Sequence, residues 1–369
     1  MSTALATELE ALLRGMHAPT EADLPRWERV LRLARMTGLH GRLAAANRDN
    51  ASLPEPIRRH LLSAKRISRF NAQMLHAELQ ALAPLCEGRF PVIALKGSAY
   101  ALQGLSVASG RFVSDVDLLV PRANLRVMEQ RLRKAGWKTA ELDAYDERYY
   151  RDWSHETPPM RFPGHFLEVD LHHAITPVTG ALSFDPAPLF DASVAVPGSP
   201  FRVLCAQDQV LHACVHCFQD GDLDLRLREL VDIDMLLRDF ASRTDFWRNL
   251  SARAEELGLQ RPLWYGLHFT RKWLETPVPA TMLGELSSPH PLVVRVMDAL
   301  VPPAMLPSDP DYPPSASVRL ARLAMLVRYH RLRMPLGMLL PHLARKSMVR
   351  ARARFGRRGE PAGDAPSRP

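Results

Sequence analysis

Asp115 and Asp117 stand one residue apart in Gly110-Arg111-Phe112-Val113-Ser114-Asp115-Val116-Asp117-Leu118-Leu119-Val120. Val116, Leu118 and Val120 alternate with them, which predicts a β-strand. Side chains leave a strand with a period of two, so both carboxylates share one face. Adjacent carboxylates repel, and a buried pair needs something to neutralise it. A divalent cation does this, most often Mg²⁺ held by carboxylates together with phosphate oxygens. Leu167-Glu168-Val169-Asp170-Leu171-His172 has the same habit, with Glu168, Asp170 and His172 on one face. A third carboxylate there can hold a second metal or take a proton from an attacking hydroxyl. Either segment taken alone could equally be a strand whose polar face meets water.

Upstream, Phe90 to Leu95 is a short apolar run, followed by Lys96-Gly97-Ser98 and then Ala99 to Gln103. This order predicts a strand, a tight turn and a helix start. Glycine allows close backbone approach, and a helix N-terminus offers free N–H groups and the positive end of its dipole. Phosphate oxygens suit such a turn, with the Ser98 hydroxyl and the Lys96 charge as additions. Arg111 can contact a phosphate or brace the turn, since arginine does both. His212 and His216 are spaced i, i+4 near Cys214 and Cys217, but Cys214 leaves the helix on another side. Packing against the core therefore suits the two histidines better than zinc, and a place near the nucleotide base or acceptor stays open to them. Arg228 and Asp232, also i, i+4, are expected to pair with each other.

The elements that must position these residues follow from periodicity. Residues 1–88 read as a helical region, with Trp27, Val30, Leu31, Leu33 and Ala34 and then Leu61 to Leu82 at three-to-four spacing. It contains no titratable cluster and reads as scaffold. Residues 89–200 read as the core that carries the site. Within it a helix is expected over 124–135, stopped by Gly136, then a strand over 137–144, a loop over 145–164 and a strand over 166–175. Residues 201–345 read as helical, with a break at Gly221 and a proline-rich connection from Pro302 to Pro314 before a helix over 316–333. Residues 346–369 read as a basic, disordered tail.

Length and composition fit a globular protein of two or three domains: 369 residues, 46% apolar and 24% charged. Four cysteines without a paired framework suit a reducing cytoplasm. Met1 to Arg14 does not read as a signal peptide, and no uncharged apolar run approaches the ~20 residues of a membrane span. The net charge of +8 is unevenly spread. Between Tyr312 and Gly359 there are twelve Lys and Arg and no Asp or Glu, so the rest is mildly acidic. Such an end suits contact with a polyanion or an anionic surface, or a solvated helix face.

In this order, the Gly-Ser turn, the Asp-x-Asp strand and the later carboxylate resemble the nucleotidyltransferase superfamily of the DNA polymerase β type. The closer likeness is to a bacterial family of uncharacterised nucleotidyltransferases. It rests on Leu95-Lys96-Gly97, Arg111 four residues before Asp115, Asp115-Val116-Asp117-Leu118-Leu119-Val120, Asp170-Leu171-His172, and helical segments resembling Leu211 to His216 and Arg228 to Ile233. The resemblance implies an α+β fold with a mixed sheet core flanked by helical regions. It also implies two Mg²⁺ ions, with Mn²⁺ as a substitute, on Asp115, Asp117 and Asp170. Lys96, Gly97, Ser98 and Arg111 would bind the nucleotide, ATP or another NTP, and Asp170 rather than Glu168 would complete the triad. A nucleoside monophosphate would pass to a hydroxyl on a small molecule, a peptide or protein, or an RNA end, with pyrophosphate leaving. The alternative is a non-catalytic nucleotide-binding or interaction protein on the same fold.

Overall fold

A computed structural model describes residues 3–15, 24–88, 90–139, 142–219, 223, 226–341, 343, 345 and 348. The architecture is α+β. Seven strands form one mixed sheet, with helices packed around it. They are β1 (Ile93–Ala94), β2 (Asp115–Leu119), β3 (Lys138–Thr139), β4 (Met160–Arg161), β5 (Glu168–His172), β6 (Val194–Ala195) and β7 (Arg202–Val203), in the order β3-β4-β5-β2-β1-β7-β6. The two five-residue strands sit side by side at the centre. β2 and β5 run parallel with Asp115 opposite Glu168 and Asp117 opposite Asp170. Val116, Leu118, Val169 and Leu171 are fully buried on the apolar side, and this burial fixes the register, because a one-residue slip would invert every side chain.

The helical region before the sheet holds the site strand from behind. In the helix Glu55–Cys86, the Asn71 side chain accepts from the Val113 N–H at 2.8 Å and donates to the Val113 carbonyl at 2.8 Å. Both bonds fall two residues before Asp115. Glu78 of the same helix accepts from the Trp137 indole at 3.1 Å and so ties down the far end of the sheet. One continuous set of buried apolar side chains runs from Leu9 to Met325 through the helices and the sheet.

The helix Leu125–Ala135 ends at Gly136, whose φ of +110° only glycine adopts without strain. A helix over Ala316–Arg333 is present where its spacing predicts it. Elsewhere the expectations need correction. The strand expected over 137–144 is only β3, and the chain re-enters helix at Ala144. The loop expected over 145–164 holds a helical turn (Ala144–Arg148), a π-turn (Tyr149–Trp153) and β4. Tyr145 and Tyr149 pack edge-on against Trp153 there, so the aromatics that look like loop decoration form a small cluster. Pro302 and Pro303, read as part of a connection, lie in the last turn of the helix Pro291–Met305. Gly221 and the tail over 346–369, apart from Met348, lie outside the described residues. No described helix is long and apolar enough to cross a membrane.

Candidate active site

Parallel pairing of β2 with β5 brings the carboxylates together. One carboxylate oxygen from each of Asp115, Asp117 and Asp170 lies within 4.8 Å of the others. Glu168 shares Asp170's face, yet it lies toward the edge and forms an ion pair with Arg161 at 2.8 Å. That leaves Asp170 as the third member of the cluster. Its Oδ1 is buried and has no hydrogen-bond partner. Burial, and then the negative charge of Asp117, push the Asp170 carboxyl up to about 7.

Asp117 is treated differently by its surroundings. Burial alone would raise its carboxyl, but the Lys96 ammonium and His172 outweigh that and hold it well below the usual carboxylate range. Lys96 Nζ lies 3.0 Å from Asp117 Oδ1, and His172 Nε2 lies 2.9 Å from the same oxygen. Lys96 reaches it from the turn between β1 and the helix Lys96–Gln103 with a backbone φ of +45°. A left-handed lysine is strained, and such strain is found where a side chain must be aimed. The Leu95 N–H donates to the Asp117 carbonyl at 3.0 Å and joins this turn to β2.

A polar pocket opens beside Asp115, lined by Lys96, Tyr100, Arg111, Arg228, His216 and Asp232 among others. Gly97 and Ser98 lie behind it in the first turn of the helix, both buried. A Cβ on Gly97 would collide with the Arg111 guanidinium and come within 2.7 Å of Val113 Cγ2, so the missing side chain admits Arg111. The Ser98 hydroxyl is sealed in the interior and has no hydrogen-bond partner. Arg111 braces the site: its Nε donates to Asp232 Oδ2 at 3.0 Å, and its guanidinium lies 5.7 Å from the Tyr100 ring centre.

Asp232 does not pair with Arg228 as the spacing suggests. It is shared by two buried arginines, Arg111 and Arg42, while Arg228 donates to the Phe112 carbonyl at 3.3 Å. Arg42 belongs to the N-terminal helical region and also donates to the Val107 carbonyl at 2.8 Å. Of the two histidines, His212 is buried, and burial pushes its imidazole well below the ordinary value, so it packs as a neutral ring. His216 lines the pocket, with Nδ1 3.0 Å from Glu229 Oε2. Among the described residues no cysteine joins a convergent group of metal ligands.

Sequence reasoning misses Arg42, Asn71 and Glu229. The partners of Arg42 and Asn71 lie on distant elements, and Glu229 pairs with His216 of the preceding helix as well as with Arg226 three residues before it. Asp232 is visible as a conspicuous carboxylate, but only the fold reveals which arginines it serves.

No curated protein matches the chain. Residues 23–275, about two thirds of the chain, match the family described as an uncharacterised nucleotidyltransferase. That span contains Lys96, Arg111, all three carboxylates and the whole Arg42–Asp232–Arg111 network, and the chain belongs to this uncharacterised nucleotidyltransferase family.

Proposed function

We propose that this chain is a Mg²⁺-dependent nucleotidyltransferase that moves a nucleoside monophosphate from an NTP to a hydroxyl acceptor and releases pyrophosphate. The observation that carries the reading is the convergence of Asp115, Asp117 and Asp170, with a buried Asp170 oxygen that lacks a partner. An all-oxygen donor set of this kind fits a hard cation, Mg²⁺ or Mn²⁺. Asp115, Asp117 and Asp170 would hold it. When bound, the cation supplies charge stabilisation to the transferring phosphoryl group.

The chain's own residues orient the rest. Lys96 and Arg228 line the pocket beside Asp115 and give it positive charge where the triphosphate is expected. Gly97 and Ser98 lie buried behind the pocket wall, and the bare Cα of Gly97 makes room for the Arg111 guanidinium. Arg111, locked on Asp232, keeps the wall of the pocket in place and adds positive charge. Holding the reacting groups in one geometry is a large part of the rate in such transfers. The acceptor is a small molecule, a peptide or protein, or an RNA end. The basic run from Arg319 to Arg358, free of Asp and Glu, favours a polyanionic or membrane-near one.

Incubation with each labelled NTP, Mg²⁺ and cell extract tests the reading. Transfer of label and release of pyrophosphate are expected, with Asp115→Asn at least about a hundredfold slower. Nucleotide binding without either product would instead indicate the non-catalytic alternative.

A further inference from the structure

A second convergent group of different chemistry lies against the triad. His155, Glu156 and His172 each place one ligand atom within 4.8 Å of the others. Glu156 Oε2 is 3.7 Å from His155 Nε2 and 3.7 Å from His172 Nε2. Both imidazoles are buried, whereas the Glu156 side chain is 28% exposed and leaves a way in from solvent. Backbone pairing builds this group. Glu156 forms an antiparallel bridge with His172, His173 N–H donates to the His155 carbonyl at 2.8 Å, and Thr157 N–H donates to the Leu171 carbonyl at 2.8 Å. The segment around 155–157 is thus stitched to β5, and its side chains meet His172 by register.

We propose that His155, Glu156 and His172 bind a divalent transition ion of the zinc class, at a site that adjoins the carboxylate triad and shares no ligand with it. Two imidazole nitrogens and one carboxylate oxygen form a donor set that zinc takes when a further position stays open. Mg²⁺ prefers oxygen ligands, so an N₂O group beside an all-carboxylate group sorts the two kinds of cation by donor type. Ligation through His172 Nε2 exchanges its hydrogen bond to Asp117 for the ion, and the imidazole proton passes to solvent. Asp117 keeps Lys96 as its partner. The two sites therefore adjoin: His172 Nε2, the atom offered to the ion, lies 2.9 Å from Asp117 Oδ1 of the triad.

The full chain, stripped with chelator and dialysed against Zn²⁺ in excess Mg²⁺, is expected to retain about one zinc per chain by elemental analysis. Cobalt in its place should give visible absorption bands of a low-coordinate site. Glu156→Gln and His155→Ala are each expected to weaken zinc binding by about tenfold or more, with thermal unfolding of the stripped proteins used to confirm that both variants fold. Asp115→Asn should bind zinc as the wild type does. Wild-type protein that keeps no zinc, or folded Glu156→Gln and His155→Ala proteins that bind it undiminished, would overturn the site. Zinc binding lost in the two variants, in a protein that shows no nucleotide transfer, would support the site and sink the transferase reading instead.

Discussion

Lys96 is where chemistry and backbone strain meet in a single residue. Its φ of +45° lies in the left-handed region, which costs an L-residue about 1–2 kcal/mol and costs glycine nothing. Its ammonium repays this locally by neutralising Asp117 at 3.0 Å. The two contributions can be separated by two substitutions. Lys96→Ala loses the ammonium and keeps the strain, whereas Lys96→Gly loses the ammonium and relieves the strain. The glycine variant is expected to be the more stable of the two by about 1 kcal/mol in urea unfolding. Both should be equally poor in nucleotide transfer. Equal stability of the two would show that the turn is unstrained.

At the scale of elements, the site depends on how closely the turn after β1 packs on the strand that follows it. Gly97 lets the Arg111 guanidinium and Val113 lie against the helix start. Gly97→Ala is expected to cost about 1–3 kcal/mol in thermal unfolding, because neither neighbour is free to move. An unchanged midpoint would refute that packing. The helices Ala206–Gln219 and Leu227–Phe240 are joined by Glu229, which receives Arg226 Nη1 at 2.7 Å as well as His216. Burial would raise its carboxyl, but His216 and Arg226 outweigh it and hold Glu229 at about 2. A depressed folded-state value contributes stability above the ordinary 4.5, and that contribution is lost as pH falls from 4.5 toward 2. The stability gap between wild type and Glu229→Gln should therefore narrow from about pH 6 to about pH 3; a constant gap across that range would remove Glu229 as its source. What the sequence made legible at this scale follows a physical rule. β2 and β5 are five residues each, long enough for apolar alternation to show, and their carboxylates and pairing partners could be read in outline. β3, β4, β6 and β7 have two residues each and carry no period to read. Asn71 and Arg42 act on residues 42 and 190 positions away, contacts that only a completed fold creates.

Across the whole molecule, one carboxylate ties three regions together. Asp232, from the C-terminal helices, accepts from Arg111 beside the site strand and from Arg42 of the N-terminal helices, and all three are buried. For Arg42, burial lowers the guanidinium's affinity for its proton, opposed by Asp232; for Arg111, Asp232 outweighs burial and raises it. Two buried cations thus depend on a single anion, and the consequences of losing each member differ. Arg42→Met removes one cation and leaves Asp232 paired with Arg111, so no charge is stranded. Asp232→Asn strands two guanidiniums in the interior at once. Breaking a buried pair by removing one partner costs about 3–5 kcal/mol, most of it from the charge left behind. Asp232→Asn is therefore expected to reach the upper end of that range in urea unfolding and Arg42→Met to fall below it. The double variant should be more stable than Asp232→Asn alone, because deleting Arg42 removes one of the stranded charges. If instead the two single losses simply added, Arg42 and Arg111 would not be sharing Asp232, and the N-terminal helices would be held to the site by apolar packing alone.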